Sequence, residues 1–303
     1  MVSKARRAVT LTVCGLVAFS VAACGGTADD AAEPASSTTA GGDPQIAAML
    51  PAEIRDAGEI KVGTAADSPP LESIADDGKT IVGVDPDLGA ALGDVLGVPL
   101  VFVNSGFDGL LPGLAGGKHD IVMAGMNDTA ERQQVVDFVD YLSAGTNILV
   151  NESNDSISEV ADLCGQQVGV LKGTTFAEFV ENESTKCQAG GAAPITVNQF
   201  NTGNEATLAL SANRVTAVVG FAPVNANISN QTDGSFKTVG PNYDAKNIGI
   251  AVPKGQDQLR DALKAAMEKL MSDGTYQQIL DKYSLNDCCS RQEVTINDDQ
   301  AQQ

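Results

Sequence analysis

The chain has 303 residues, with 19 basic and 39 acidic side chains and a formal charge of −20. So acidic a balance excludes the polyanionic backbone of nucleic acid as a partner. Hydrophobic residues make up 43%, enough to bury one large α/β core or two smaller ones, and the acidity itself is explained by solubility outside the cell rather than by a cationic ligand.

Lys4, Arg6 and Arg7 precede an apolar run over residues 8–23, which reads as an export signal over 1–23. The run is shorter than the roughly 20 apolar residues of a membrane-spanning helix, and small residues occupy the cleavage position. Val21-Ala22-Ala23-Cys24 resembles the lipobox of bacterial lipoproteins, which implies that Cys24 is acylated and becomes the new N-terminus. Residues 24–46 are rich in Gly, Ala, Ser, Thr, Asp and Pro without an apolar period, the composition of a flexible tether. The three basic residues of the leader leave with it and no acidic ones do, so the mature chain is more acidic still.

Strands and helices alternate from Glu59 onward. Strands are predicted over 60–63, 100–103 and 120–123, with helices near 87–96 and 107–114 between them. Leu88, Leu92, Val95 and Leu96 recur at helical spacing, whereas Val101-Phe102-Val103 is a continuous apolar run, the signature of parallel βαβ units with both sheet faces covered. A second series follows: strands over 147–150 and 167–171, a helix from Thr174, a strand over 195–200, a helix over 204–212 and a strand over 217–220. After strands over 236–239 and 248–252 come two helices, 257–271 and 275–283, with no strand predicted beyond them. A chain that begins one lobe, builds another and returns crosses between them twice, which makes a hinge. The domain reading is therefore a signal over 1–23, a tether over 24–46, lobe 1 over 47–145 plus 246–303, and lobe 2 over 146–245.

The segment from Ala124 to Arg132 runs off the third strand into a predicted helix start. Thr129 is placed as its N-cap and Arg132 at the third helical position, so that backbone N–H groups and a guanidinium fork converge on a volume suited to a carboxylate. Cys164 and Cys187 flank a short strand-helix unit and are the expected disulfide. Cys288 and Cys289 are left as either a vicinal disulfide or two thiols. The only histidine, His119, is far in sequence from any cysteine, so no metal site and no cofactor are expected.

Several ordered blocks then resemble the family 3 solute-binding proteins, the periplasmic polar amino acid receptors of ATP-driven importers. They include Lys61-Val62-Gly63-Thr64, Pro69-Pro70-Leu71-Glu72, Val82-Gly83-Val84-Asp85-Pro86-Asp87-Leu88 and Phe107-Asp108-Gly109-Leu110-Leu111-Pro112. Gly117-Lys118-His119-Asp120, Glu131-Arg132-Gln133-Gln134, Val168-Gly169-Val170-Leu171-Lys172-Gly173-Thr174-Thr175 and Asp273-Gly274-Thr275-Tyr276 continue the match. The resemblance implies an α/β, two-lobe periplasmic-binding-protein fold with two hinge crossings. It implies a ligand carboxylate on Arg132 and on backbone groups at Gly125 and Asn127, further contacts at Leu171, Thr174 and Thr175, and Phe107 against the ligand body.

Two positions depart from that pattern. Ser68 stands where the family usually has an aromatic residue, and Phe221 where it has the aspartate that pairs with the ligand's α-ammonium. Without a carboxylate there, an ammonium loses a charge-assisted bond worth roughly 1.5–3 kcal/mol. Asp67, Glu72, Asp128 and Glu205 are the candidate replacements, and a carboxylate ligand that lacks or displaces its ammonium is the other outcome. The expected function is a lipid-anchored, monomeric receptor on the outer face of the cell membrane. It captures an amino acid or related small carboxylate by hinge closure and presents it to an ABC permease, with no catalysis. The alternatives are an enzyme similar to the cyclohexadienyl dehydratases, for which His119 and Lys172 are the residues to inspect, and a ligand-sensing receptor without transport.

Overall fold

The computed structural model describes residues 42–299. The export signal over 1–23, the acylation of Cys24 and most of the 24–46 tether lie outside the described residues. The last tether residues are in the helix Pro44–Ala47, where the Asp43 carboxylate accepts from the Gln45 and Ile46 amides. The Asp43 amide donates to the carbonyl of Val95 at 2.7 Å, so this end of the tether is fixed to the body.

Strand Ile60–Thr64 lies between Leu100–Asn104 and Ile121–Val122 and runs parallel to both. Helix Val84–Leu96 buries Val84, Leu88, Leu92, Val95 and Leu96 over this half of the sheet. Strand Gln167–Leu171 repeats the arrangement, parallel to Thr196–Phe200 on one side and Ala217–Phe221 on the other. Thr174 caps helix Thr175–Ala189 from extended backbone, its hydroxyl accepting from the Ala177 amide.

Two long antiparallel strands, Val136–Asn151 and Phe236–Pro253, run through both halves and join them into one sheet. Between them the register shifts at three points, from Val239 to Tyr243, from Tyr243 to Lys246 and from Ile248 to Gly249. Interrupted ladders bend where continuous ones do not. Gly240 sits there at φ +76°, where a Cβ would lie 2.6 Å from the Tyr243 hydroxyl. The fold is thus α/β with two lobes and two crossings. The returning helix Asp257–Ser272 buries Leu259, Leu263, Ala266, Met267 and Leu270 and packs against Val84–Leu96 of the first lobe.

Several elements differ from the expected ones, and the helices Ala52–Ala57 and Ala222–Gln231 and the small sheet of Asp67–Ser68, Glu72–Ile74 and Ile81–Val82 are additional to them. The strands expected over 147–150 and over 236–239 with 248–252 are parts of strands of 16 and 18 residues. Asp137 and Asp140 break the apolar run before Leu142, yet both are buried with partners: Lys254 and Arg260 for the first, Thr295 and the Asp298 amide for the second. The helix expected from Thr129 is only a 3-10 turn, Arg132–Gln134, because the strand at Val136 follows at once. The chain after the last long helices does form a strand, Ser290–Ile296, antiparallel to Val136–Asn151. Its polar run Arg291-Gln292-Glu293 conceals it in the sequence.

Cys164 and Cys187 are joined, as are the adjacent Cys288 and Cys289. The first bridge links residues 23 apart and ties the start of the strand Gln167–Leu171 to the helix that follows it. Replacing both Cys164 and Cys187 by Ser is expected to cost about 3 kcal/mol through the freer unfolded chain. Urea unfolding, with the midpoint lowered and the slope little changed, is the check.

Candidate functional site

Parallel sheets place their binding loops beyond the carboxyl ends of the strands, and here the strands of both halves point those ends at one cleft. Ile60–Thr64 leads to Ser68, Leu100–Asn104 to Phe107, and Ile121–Val122 to Gly125, Asn127 and Arg132. From the other half, Gln167–Leu171 ends at Leu171 and leads to Thr174 and Thr175, and Ala217–Phe221 ends at Phe221. All nine of these residues line one cavity, joined by Leu71, Glu72, Ala124 and Phe176. Those last four were not assigned to the site from sequence, although Glu72 was a candidate replacement for the missing aspartate.

Gly125 has φ +54°, and a Cβ there would stand 2.8 Å from Leu71 Cδ1 and 3.3 Å from Phe221 Cε2. Only glycine admits both neighbours and the left-handed turn. Its amide donates to Asp85 Oδ2 at 3.2 Å, which fixes the loop from below. Arg132 donates from Nη1 to the Asn127 carbonyl at 2.8 Å and from Nη2 to the Gly173 carbonyl at 3.1 Å, with its guanidinium 5.7 Å from the Phe107 ring centre. Two of its five donors are so engaged, and the fork is held in one orientation. The Arg132 amide does donate to Thr129 Oγ1 at 3.2 Å, but within a single turn. The guanidinium is therefore placed by a 3-10 turn and two carbonyls, without an α-helix N-terminus beside it.

Four contacts cross the cleft. Besides Arg132 with Gly173, Thr175 Oγ1 donates to Asn127 Oδ1 at 2.8 Å, the Gly203 amide donates to Asp67 Oδ2 at 2.8 Å, and Lys172 pairs with Asp108 at 2.8 Å. Lys172 is thus a half-exposed clasp at the rim. With the lobes so joined the cavity holds about 20 Å³, room for a water molecule or two. Entry of anything larger requires the hinge to open. Outside the cavity the Arg132 rim widens into a groove of about 460 Å³ bordered by Glu131, Glu178 and Glu181. The opposite rim, past Ser68 and Phe221, widens into a more apolar groove of about 260 Å³ that includes Val218, Val224 and Ile228.

Phe221 is 8% exposed and meets Phe176 edge to face, with ring centres 4.7 Å apart. Burial lowers the Arg132 pKa, against the pull of Glu178, Glu131 and Asp128. Burial raises Asp67, against the hydrogen bond from the Gly203 amide. Burial also raises Asp128 to about 6 in spite of its bond from Gln133. Glu72 lies well above the usual carboxylate range because it is buried and because Asp85 stands beside it. Glu205 serves helix Gly203–Ser211, accepting from the Asn201 amide, and does not line the cavity. His119 lies under strand Ile60–Thr64 near Gly63 and Gly113, 2% exposed and away from the cleft; burial lowers its pKa. Among the described residues no group of three or more His, Cys, Asp or Glu side chains is placed to hold a metal ion, and no helix is long and apolar enough to cross a membrane.

Residues 60–286 match the family model of the bacterial extracellular solute-binding proteins, family 3. The arginine-binding protein ArgT of Corynebacterium glutamicum is 32% identical over 288 residues, covering 93% of each chain. Among solved structures, an ancestral arginine-binding protein bound to arginine is similar with a TM-score of 0.70 at 38% identity, covering 75% of this chain and 98% of that one. The ancestral amino acid-binding protein AncCDT-1, a precursor of cyclohexadienyl dehydratase, has a TM-score of 0.69 at 32% identity, covering 76% and 97%. Matched along the whole two-lobe body and over both rims of the cleft, the chain belongs to the bacterial extracellular solute-binding proteins of family 3.

Proposed function

We propose that this chain is the lipid-anchored, monomeric binding component of an ABC importer, acting at the outer face of the cell membrane, and that its ligand is an α-amino acid with cationic ones favoured. The observation that carries the reading is the Arg132 fork, oriented by two backbone carbonyls and Phe107 at the meeting of both lobes. A guanidinium so placed suits a carboxylate bidentately. Relatives whose names specify arginine and histidine binding support an amino acid. Glu131, Glu178 and Glu181 around the rim add a negative field that draws in a cation and repels a plain carboxylate. Acylation at Cys24 and the 24–46 tether hold the body near its permease, which receives the closed form.

A thermal-shift panel on the purified protein tests this reading, with L-arginine, L-histidine and L-glutamine beside matched carboxylates that lack the α-amino group. Ligand at 100 times its Kd stabilises by about 2.7 kcal/mol, a rise of several degrees in Tm. The expected order is arginine first and the amine-free compounds last; no response to any amino acid rejects the function. Phe221→Asp supplies a second carboxylate in the cavity and is expected to raise affinity for neutral α-amino acids.

The similarity to AncCDT-1 and a buried acid at Glu72 favour an enzyme as the second reading. Expulsion of water from a carboxylated ring needs an acid aimed at the leaving hydroxyl and a base for the departing proton. Phe221 leaves the second lobe without that partner, and Lys172 is committed to Asp108 at the rim. No turnover of a carboxylated cyclohexadienol is expected.

A further inference from the structure

Phe221 removes a carboxylate from one wall of the cleft, and the opposite wall contains another. Glu72 starts the short strand Glu72–Ile74, pairs across to Ser68, and is 1% exposed. Its Oε2 is buried without a hydrogen-bond partner, and the residue lines the same cavity as Arg132 and Phe221. An unsatisfied buried carboxyl oxygen facing a binding cavity is costly unless something fills its need.

The groups around Glu72 define what that something is. Asp85, from helix Val84–Leu96, is its neighbour and is fully buried, with Oδ1 accepting from the Tyr141 hydroxyl at 2.5 Å and Oδ2 from the Gly125 amide at 3.2 Å. Asp67 adds a further negative group from the adjacent strand. Tyr141, from the long strand Val136–Asn151, is wholly buried and its hydroxyl stays protonated, since burial and Asp85 raise it. Across the cavity Arg132 is bonded to the carbonyls of Asn127 and Gly173. Among the described residues no lysine or arginine forms an ion pair with Glu72 or Asp85. Two buried carboxyl groups side by side without a cation cannot both be charged, and they share one proton. Asp85 keeps the two hydrogen bonds that favour an anion, so the proton resides on Glu72.

We propose that Glu72 binds the cationic nitrogen of the ligand and gives up its carboxyl proton in exchange as the cleft closes. The step balances: the neutral acid and a cationic ligand become a carboxylate–cation pair, and one proton passes to water. The arrangement takes the place of the aspartate that Phe221 displaces, from the other lobe and with a proton count that a permanently ionised aspartate does not have. It rests on the amino-acid reading above.

Calorimetric titration of the purified protein with L-arginine at pH 7, repeated in phosphate and in Tris, reads the proton directly, because the buffers differ in ionisation enthalpy. About one proton released per arginine bound is expected, and Glu72→Gln should abolish the release while weakening binding about 10- to 100-fold. Two further ligands divide the cation: 5-guanidinopentanoate lacks the α-ammonium and L-citrulline lacks the charged guanidinium. The ligand that keeps the group bound by Glu72 releases the proton, and pentanoate, with neither, releases none. Arginine binding without proton exchange overturns the proposal, as does unchanged release from Glu72→Gln. The wild-type proton count is independent of whether the variant folds. Failure of arginine, histidine and glutamine to bind at all would reject the amino-acid function instead.

Discussion

Arg132→Ala is expected to weaken L-arginine binding at least 100-fold, with the melting temperature of the protein alone nearly unchanged. A fork that gives a carboxylate two charge-assisted bonds contributes roughly 1.5–3 kcal/mol through each, and the alanine variant loses both. It also loses the bond to the Gly173 carbonyl across the cleft, so the closed arrangement is less favoured. Stability itself changes little, because the side chain is only partly buried and one of its two carbonyl partners, that of Gly173, is exposed to water. Arg132→Lys should fall between the two, keeping the charge but not the planar fork. Calorimetry beside a thermal melt separates these outcomes, and near-normal affinity in the alanine variant would remove Arg132 from the site.

Arg291→Met should destabilise the protein by about 3 kcal/mol, a fall of about 6–12 °C in Tm for a body of this size. Arg291 is 1% exposed in the last strand and is among the largest wholly buried side chains. Its guanidinium donates to Asn247 Oδ1, to Thr295 Oγ1 at 2.8 Å and to the Glu293 carbonyl at 3.3 Å, with Asp298 at 3.6 Å. Methionine fills similar space but removes the donor to Thr295 Oγ1 and the buried charge-assisted bond to Asn247 Oδ1. The loss extends to the cleft, since the Asn247 carbonyl accepts from the Asp128 amide at 2.9 Å and from Asn127 Nδ2 at 3.4 Å. A weaker arginine affinity should accompany the lower melt. A melt within a degree of wild type would mean that the strand is held by its backbone ladder alone.

Most of the fold was legible wherever periodicity was clean. The run Val101-Phe102-Val103 and the spacing of Leu88, Leu92 and Leu96 mark buried strands and a helix face, and those elements fall within a few residues of their expected bounds. The long crossing strands were legible only in fragments, because Asp137 and Asp140 look like solvent-facing residues until Lys254, Arg260, Thr295 and Asn297 are brought to them from more than a hundred residues away. Arg291 misleads for the same reason. In the cleft, Thr174 was readable as the start of a helix and the Ala124–Arg132 loop as a strand exit, whereas Glu72 was not separable from the other acids. A carboxylate in sequence carries no sign of its burial; that comes from Asp85 and Tyr141, which only the tertiary fold sets around it.

The last strand, Ser290–Ile296, lies along Val136–Asn151, and the helices before it return to a lobe begun by Ile60–Thr64. The first lobe is therefore built from two separate stretches, since its sheet and its helical cover draw on Asp257–Ser272 and Ser290–Ile296 as well as on Ile60–Thr64. The second lobe runs through as a single stretch and has its own bridge between Cys164 and Cys187. Contacts between neighbours in sequence form before distant ones, so the second lobe is expected to assemble before the first, whose closure joins segments from both sides of it.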